Sequence, residues 1–314
     1  MSYNFSETVF PSSDGKNTVY AEIYTPRTAS SRGIIQLSHG MIDYVGRYRE
    51  LAEYLTDRGY ILAGNHHLGH GKTAASPDDF GYFAERDGTE LVLKDLHTMN
   101  SMLRHTFPTL PLILFGHSMG SFLARLYVVK YPNTVKGAVI HGTAGPNPAI
   151  PAGKLLAKLV RAMNGSHYRS GLLKSLSIGA YQKKFGKEGP NAWLTRDSSQ
   201  IADHDDDKYS NFDFTTSGYI DLFDMLQRCN SSSWYAEYPK SLPTLIMSGD
   251  RDPVGSFGKG PRHVYKSLLV AGCESVTLKA YEGARHELFK ETCREEVFSD
   301  LVGWLDSVVA KCKF

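Results

Sequence analysis

The chain has 314 residues, of which 41% are hydrophobic and 22% charged, and its 35 basic and 33 acidic side chains leave a net charge of +2. That is room for one α/β domain with an insertion or for two smaller domains, and the near-neutral balance calls for no nucleic-acid partner. No run of 18 apolar residues is present, so no membrane-spanning helix is expected. Cys229, Cys273, Cys293 and Cys312 show no C-x-x-C spacing, and MSYNFSETVF lacks the basic and apolar regions of a secretory signal. Free thiols in a reducing, cytoplasmic setting are therefore expected.

Residues 3–10 and 17–24 alternate in polarity around SSDGKN, the pattern of an antiparallel hairpin at a sheet edge. GIIQLS (33–38) is the first buried strand and ends at His39-Gly40. RYRELAEYLTDRGY predicts a helix closed by Gly59, and YILAG the next strand. After a loop at 66–83, helical spacing of Leu91, Leu93, Leu96, Met99, Met102 and Leu103 predicts a helix over 85–105. A strand at 112–115, a helix at 121–131 and a strand at 135–140 complete a βαβ rhythm, which implies a mostly parallel sheet with helices on both faces.

The rhythm breaks at GTAGPNPAIPAG. Helices fit 151–163, 170–182 and 216–229, and the polar stretch DSSQIADHDDDKYSNFDF fits a surface loop. Strand 242–248, a helix around 261–271, strand 275–281 and a last amphipathic helix at 291–311 restore the pattern. The expected organisation is an α/β core at 1–144 and 241–314, with 145–240 inserted as a helical cap over the carboxyl edge of the sheet. An independently folding second domain is the alternative.

LPLILFGHSMG (110–120) runs an apolar strand directly into G-x-S-x-G, with a helical segment following. In that context the motif is a nucleophile elbow. Gly116 and Gly120 leave room for the turn, Ser118 stands at its tip, and the Met119 amide sits where a helix N-terminus favours a developing oxyanion. A serine hydroxyl needs a neighbouring base. Of the downstream histidines, His286 follows the last predicted strand and opens at the same sheet edge as Ser118. His263 falls within a predicted helix, and His141 precedes any strand that could supply a later acid.

The acid follows strand 242–248 in SGDRDPV. Asp252 stands deeper in the loop, whereas Asp250 is suited to capping the turn, and both remain candidates. Asp221 and Asp224 are distant alternatives that fit a polar helix face. The second oxyanion donor is expected from SHGM (38–41), where Gly40 allows close approach and the Met41 amide is the candidate; His39 reads as structural. GNHHLGHGKT carries His66, His67 and His70, but a packed glycine-rich turn explains them better than a metal centre.

These stretches resemble the α/β-hydrolase fold, and within it the monoacylglycerol lipase and lysophospholipase group. HGMIDYVGRYRELAEYLTDRGY (39–60), GHG (69–71), LPLILFGHSMG and YEGARHELFKE (281–291) carry the resemblance. It implies Ser118 as nucleophile, His286 as base and the Met41 and Met119 amides as the oxyanion hole. It also favours Asp252 as the acid, three residues after Gly249. Two positions depart from the family pattern: His66 stands where an Asp is usual, and Ser121 where a second glycine often follows the elbow. The implied reaction is acyl transfer from a small-molecule ester or lipid to water, without metal or organic cofactor. LLAKLV (155–160) and GLLKSLSIGAY (171–181) would either line an acyl channel or pack on the sheet, and transient contact with a lipid interface is compatible with them. The alternatives are a small-ester, aryl-ester or amide hydrolase, and a non-catalytic binding protein on the same fold. The oligomeric state is not legible.

Overall fold

A computed structural model describes residues 3–28 and 30–312. Eight strands form one sheet in the order β1-β2-β4-β3-β5-β6-β7-β8: Tyr3–Pro11, Thr18–Pro26, Gly33–Ser38, Tyr60–Asn65, Leu112–His117, Gly137–His141, Thr244–Gly249 and Val276–Tyr281, numbered along the chain. β1 and β2 form the expected hairpin at the edge, β2 meets β4 antiparallel, and every later pairing is parallel. The central strands β3 to β7 are buried along their whole length, which is why they read as continuous apolar runs and not as alternations.

Alternate strand residues feed two cores. Ile34, Leu112, Leu114, Ile140 and Ile246 pack with helices α2 (Gly88–Thr106), α3 (Met119–Lys130) and α10 (Lys259–Val270). Ile35, Leu37, Ile113, Phe115, Val139 and Met247 pack with α1 (Arg49–Thr56) and α11 (Arg294–Lys311). The sheet is thus clamped between helices on both faces.

Between β6 and β7 lie α4 (Ile150–Asn164), α5 (Gly171–Leu176), α6 (Ile178–Gln182), α7 (Ser198–Asp206), α8 (Thr216–Cys229) and α9 (Ser232–Glu237), with no strand among the described residues. Two expectations are corrected here, and one further helix is found. The predicted loop from 197 contains α7, because the Asp197 side chain accepts the Ser199 N–H and starts a helix despite the polar sequence. The predicted helix over 170–182 is broken at Ser177, whose hydroxyl donates to the Leu173 carbonyl and competes with the backbone ladder. The further helix, α9, capped by Ser231, follows the one predicted over 216–229. Phe214, Tyr219, Met225 and Trp234 of this insertion join the same apolar core as the α2 and α3 side chains.

Asp224 lies on a polar helix face, paired with Lys154 and Arg228, but Asp221 does not. It is buried, and its Oδ1 accepts the Thr89 N–H at 3.1 Å, so α8 of the insertion caps α2 of the core. The helix's own N-cap residue, Asp87, makes no such bond. A Cβ at Gly88 would overlap the Asp221 carboxylate. Burial, opposed by the Thr89 N–H, pushes the Asp221 carboxyl up from 3.8 to about 7. Between those values the folded chain holds a proton that the unfolded chain has released, so stability falls as pH rises through the window. Asp221→Asn keeps an acceptor for Thr89 and removes the charge. It should raise the melting temperature at pH 8 and leave it nearly unchanged at pH 4, with an upper bound of about 4 kcal/mol. Thermal unfolding at the two pH values checks this.

Candidate active site

β5 delivers the chain into the elbow. Ser118 has φ 53° and ψ −120°, a left-handed conformation that a non-glycine residue rarely adopts. It is held there from both sides. Its N–H donates to the His141 carbonyl on β6 at 2.9 Å, and its carbonyl accepts the Ser121 N–H at 2.8 Å and the Ser121 hydroxyl at 2.5 Å. Ser121, a departure from the family pattern, is therefore a brace for the turn. Gly120 is required by contact, because a Cβ there would overlap the carbonyls of Ser38 and His39. That close approach sets the elbow against the loop after β3.

The loop after β8 brings His286 to the elbow. Its Nε2 lies 2.8 Å from the Ser118 hydroxyl oxygen. On the other side of the ring, Nδ1 is 3.0 Å from Oδ2 of Asp252, although the ring N–H does not aim squarely at that oxygen. Such contacts are often misaligned without substrate and tighten with it. Both side chains are buried, and Asp252 is fixed through Oδ1 by the Val254 N–H at 2.8 Å. Asp250 turns elsewhere and accepts the Gly283 N–H at 2.8 Å, which ties the β7 loop to the β8 loop. Of the two candidate acids, Asp252 is the one brought to the imidazole. Burial alone would lower the His286 pKa, but the nearby carboxylates, Asp252 foremost and then Glu287 and Asp43, together outweigh it and hold the ring above its ordinary value.

Met41 and Met119 flank the serine on the wall of one cavity, and neither backbone N–H is taken by an acceptor among the described residues. Behind them lies a buried network that sequence reasoning missed. Asp43 accepts from the Gly40 N–H at 3.2 Å, the Tyr48 hydroxyl at 2.6 Å and the Arg47 guanidinium at 3.3 Å. The Tyr48 oxygen also lies 2.6 Å from His117 Nδ1, in the residue before Ser118. Arg47 in turn makes a two-point pair with Glu287, beside His286, at 2.8 and 2.9 Å. Burial opposes the Asp43 charge, but Arg47 and His117 hold its carboxyl well below the usual range. One carboxylate thus joins the loop after β3 to the elbow, and through Arg47 to the loop after β8. The three residues stood within one short stretch, HGMIDYVGRY, but nothing in it announced that their side chains converge.

His39, His66, His67 and His70 form a packed cluster beside that loop. His39 Nε2 accepts the His67 N–H, His66 Nδ1 accepts the Lys72 N–H, and His67 Nε2 meets the Ser38 hydroxyl at 3.0 Å. Burial pushes His67 down to about 3 and His70 to about 4, so these rings are neutral. No three metal-ligating groups converge among the described residues. His39 has the structural role expected of it. His263 lies on α10, and His141 is buried under the elbow.

Above Ser118 opens a cavity of about 950 Å³. Its lining combines apolar side chains, among them Phe122, Ile178, Leu222 and Leu226, with polar ones, among them Arg47, Asn191, His204 and Glu287. Much of the lining comes from the insertion.

A mostly parallel sheet, a serine at a strained strand-to-helix elbow and a histidine within hydrogen-bond reach define an α/β-hydrolase of the serine-hydrolase type. The chain belongs to the family described as serine aminopeptidase, S33, whose profile matches residues 29–293. Among solved structures it is similar to a thermostable carboxyl esterase from Bacillus coagulans crystallised with glycerol. The TM-score is 0.90 and the identity 29%, covering 97% of this chain and 99% of that one. Among curated proteins it is similar to the monoacylglycerol lipase of Mycolicibacterium smegmatis, 28% identical over 96% of this chain and 97% of the relative. The human monoglyceride lipase is 26% identical over 91% and 86%.

Proposed function

We propose that the chain hydrolyses carboxylic esters through an acyl-enzyme, with monoacylglycerols or lysophospholipids as substrates. Ser118 is the nucleophile, His286 the base and Asp252 the acid that orients it. The Met41 and Met119 amides are the oxyanion donors, and residues 145–240 are the cap that shapes the acyl site. The observation that carries this reading is the 2.8 Å contact between Ser118 Oγ and His286 Nε2 at the floor of a large cavity. His286 takes the Ser118 proton as the oxygen attacks the ester carbonyl, and the two amides receive the charge that develops on the carbonyl oxygen. Each donor contributes about 3 kcal/mol in such a transition state. The imidazolium then protonates the departing alcohol, and water activated by the same ring releases the acid.

The apolar side chains of the lining suit an alkyl chain and the polar ones suit the alcohol. Exposed apolar side chains on the insertion also support a lipid substrate. Leu155, Leu159 and Met163 on α4, with Leu172 and Leu176 on α5, are all more than half exposed, and Met163 is 83% exposed. Lys154, Lys158 and Lys174 lie on the same two helices, a mixture suited to a surface that rests on an interface while a chain enters. No helix among the described residues is long and apolar enough to cross a membrane, so any such contact is peripheral.

Two measurements test the proposal. A fluorophosphonate probe should label the protein, and turnover of p-nitrophenyl esters should rise from acetate to long acyl chains, with monoacylglycerols hydrolysed. Acetate preference with no long-chain turnover would overturn the lipid reading. It would favour the second one, a small-ester hydrolase, which the likeness to the carboxyl esterase supports. In addition, Leu159→Ser with Met163→Ser should cut the rate on vesicle-borne monoacylglycerol about tenfold, since each buried methylene contributes about 0.8 kcal/mol. The same pair should leave the rate on a soluble butyrate ester unchanged.

A further inference from the structure

The insertion does more than roof the cavity. Its segment 192–196 runs alongside the loop that carries His286 and is bonded to it residue by residue. The His286 N–H donates to the Trp193 carbonyl at 3.4 Å and the Glu287 N–H to the Leu194 carbonyl at 2.7 Å. The Thr195 hydroxyl donates to the Lys290 carbonyl at 2.7 Å, and the Arg285 guanidinium donates to the Ala192 carbonyl. Glu291, wholly buried, closes the strap: it accepts the Arg285 and Arg196 N–H groups at 2.8 and 3.2 Å and the Arg196 Nε–H at 2.8 Å. Ala192, Trp193, Leu194 and Thr195 are all buried. The Trp193 indole packs against the imidazole of His286, ring centres 5.2 Å apart, and against Tyr181 of the cavity wall at 5.4 Å.

An imidazole that must meet a hydroxyl on one side and a carboxylate on the other has little angular tolerance. Asp252 fixes one end of the ring, but its contact is out of line with the N–H. We propose that the strap from the insertion, with Trp193 as its key residue, positions His286 for proton transfer, so that the catalytic assembly is incomplete without the insertion. This rests on His286 being the base. Trp193 is then a positioning residue for the rate, and the wall contact with Tyr181 is a separate property.

The test uses p-nitrophenyl butyrate, an acyl chain short enough to make a pure wall contact matter little. Trp193→Ala should lower kcat tenfold or more with KM within about twofold, while Trp193→Phe, which keeps a ring against the imidazole, restores most of it. The acid limb of the kcat/KM profile should also move to higher pH, because water admitted at the indole's place favours the imidazolium. The charged and titratable groups around the ring, Asp252, Glu287, Asp43, His117 and His141, are unchanged in the variant. Glu291→Gln, which weakens the strap without changing its volume, should lower kcat about fivefold at unchanged KM; it serves if the alanine variant does not fold. Unchanged kcat and acid limb in folded Trp193→Ala, with only the KM of long-chain esters raised, would reduce Trp193 to a wall and overturn the proposal. Wild-type protein that takes no fluorophosphonate would instead bring down the assignment of the base itself.

Discussion

Ser118→Ala is expected to lower kcat for ester hydrolysis by about four orders of magnitude or more and to abolish fluorophosphonate labelling, with the fold unchanged. On the proposed mechanism, loss of the hydroxyl removes the covalent route, and only the two proposed amide donors and substrate binding remain to stabilise attack by water. The alanine keeps a Cβ at φ 53°, so the strain of the elbow stays in place. Ser118→Gly should be equally inactive but more stable than Ser118→Ala, because glycine adopts this conformation without steric cost. Strain of this kind amounts to about 1–3 kcal/mol. The comparison separates two roles of the turn: activity follows the oxygen, and stability follows the backbone. Thermal unfolding of the two variants measures the second. Equal melting temperatures would mean that the elbow is relaxed and that the bonds from His141 and Ser121 carry no load.

The sheet was legible because parallel strands buried on both faces leave contiguous apolar segments, and β3 matches its predicted span of 33–38 residue for residue. Ser118 was legible because its motif sits between such a strand and a helix, and His286 because it follows the last one. The choice between Asp250 and Asp252 was not settled by the residues alone. Both follow β7, and only the three-dimensional path shows one meeting Gly283 and the other meeting the imidazole. The Asp43 network and the strap at Trp193 were invisible for a related reason. Their partners lie far along the chain, and neither a hydrophobic period nor a turn signal encodes that kind of contact. Where the insertion was misread, single polar side chains decided the outcome. Asp197 began a helix in a stretch whose composition suited a loop, and Ser177 ended one in the middle of a helical pattern. Asp221 follows the same logic: its spacing placed it on a polar face, but a helix N-terminus across the interface drew it inside.

Asp252→Asn tests the other end of the proposed relay, and a loss of about 10³ to 10⁴ in kcat is expected, with modest change in KM. The carboxylate accepts only, so it selects the tautomer with the proton on Nδ1 and leaves Nε2 free to receive the Ser118 proton. An amide that turns its NH₂ towards Nδ1 selects the opposite tautomer, and Nε2 then carries a proton it cannot exchange for another. The side chain keeps its volume, and Oδ1 can still accept the Val254 N–H, so the loop should hold. The pH profile gives an independent reading. Burial lowers the His286 pKa, but Asp252, with smaller contributions from Glu287 and Asp43, raises it beyond that, so the wild-type acid limb is expected above the ordinary imidazole value of 6.5. Removing the charge should carry that limb downward. Stability moves with it: a raised folded-state pKa stabilises the fold below the unfolded value and loses that contribution as pH rises through the folded one. The wild-type melting temperature should therefore drop from pH 6 to pH 8 by more than that of Asp252→Asn. A variant that retained both the limb and the slope would show that the 3.0 Å contact carries no electrostatic coupling, and the acid would have to be sought elsewhere.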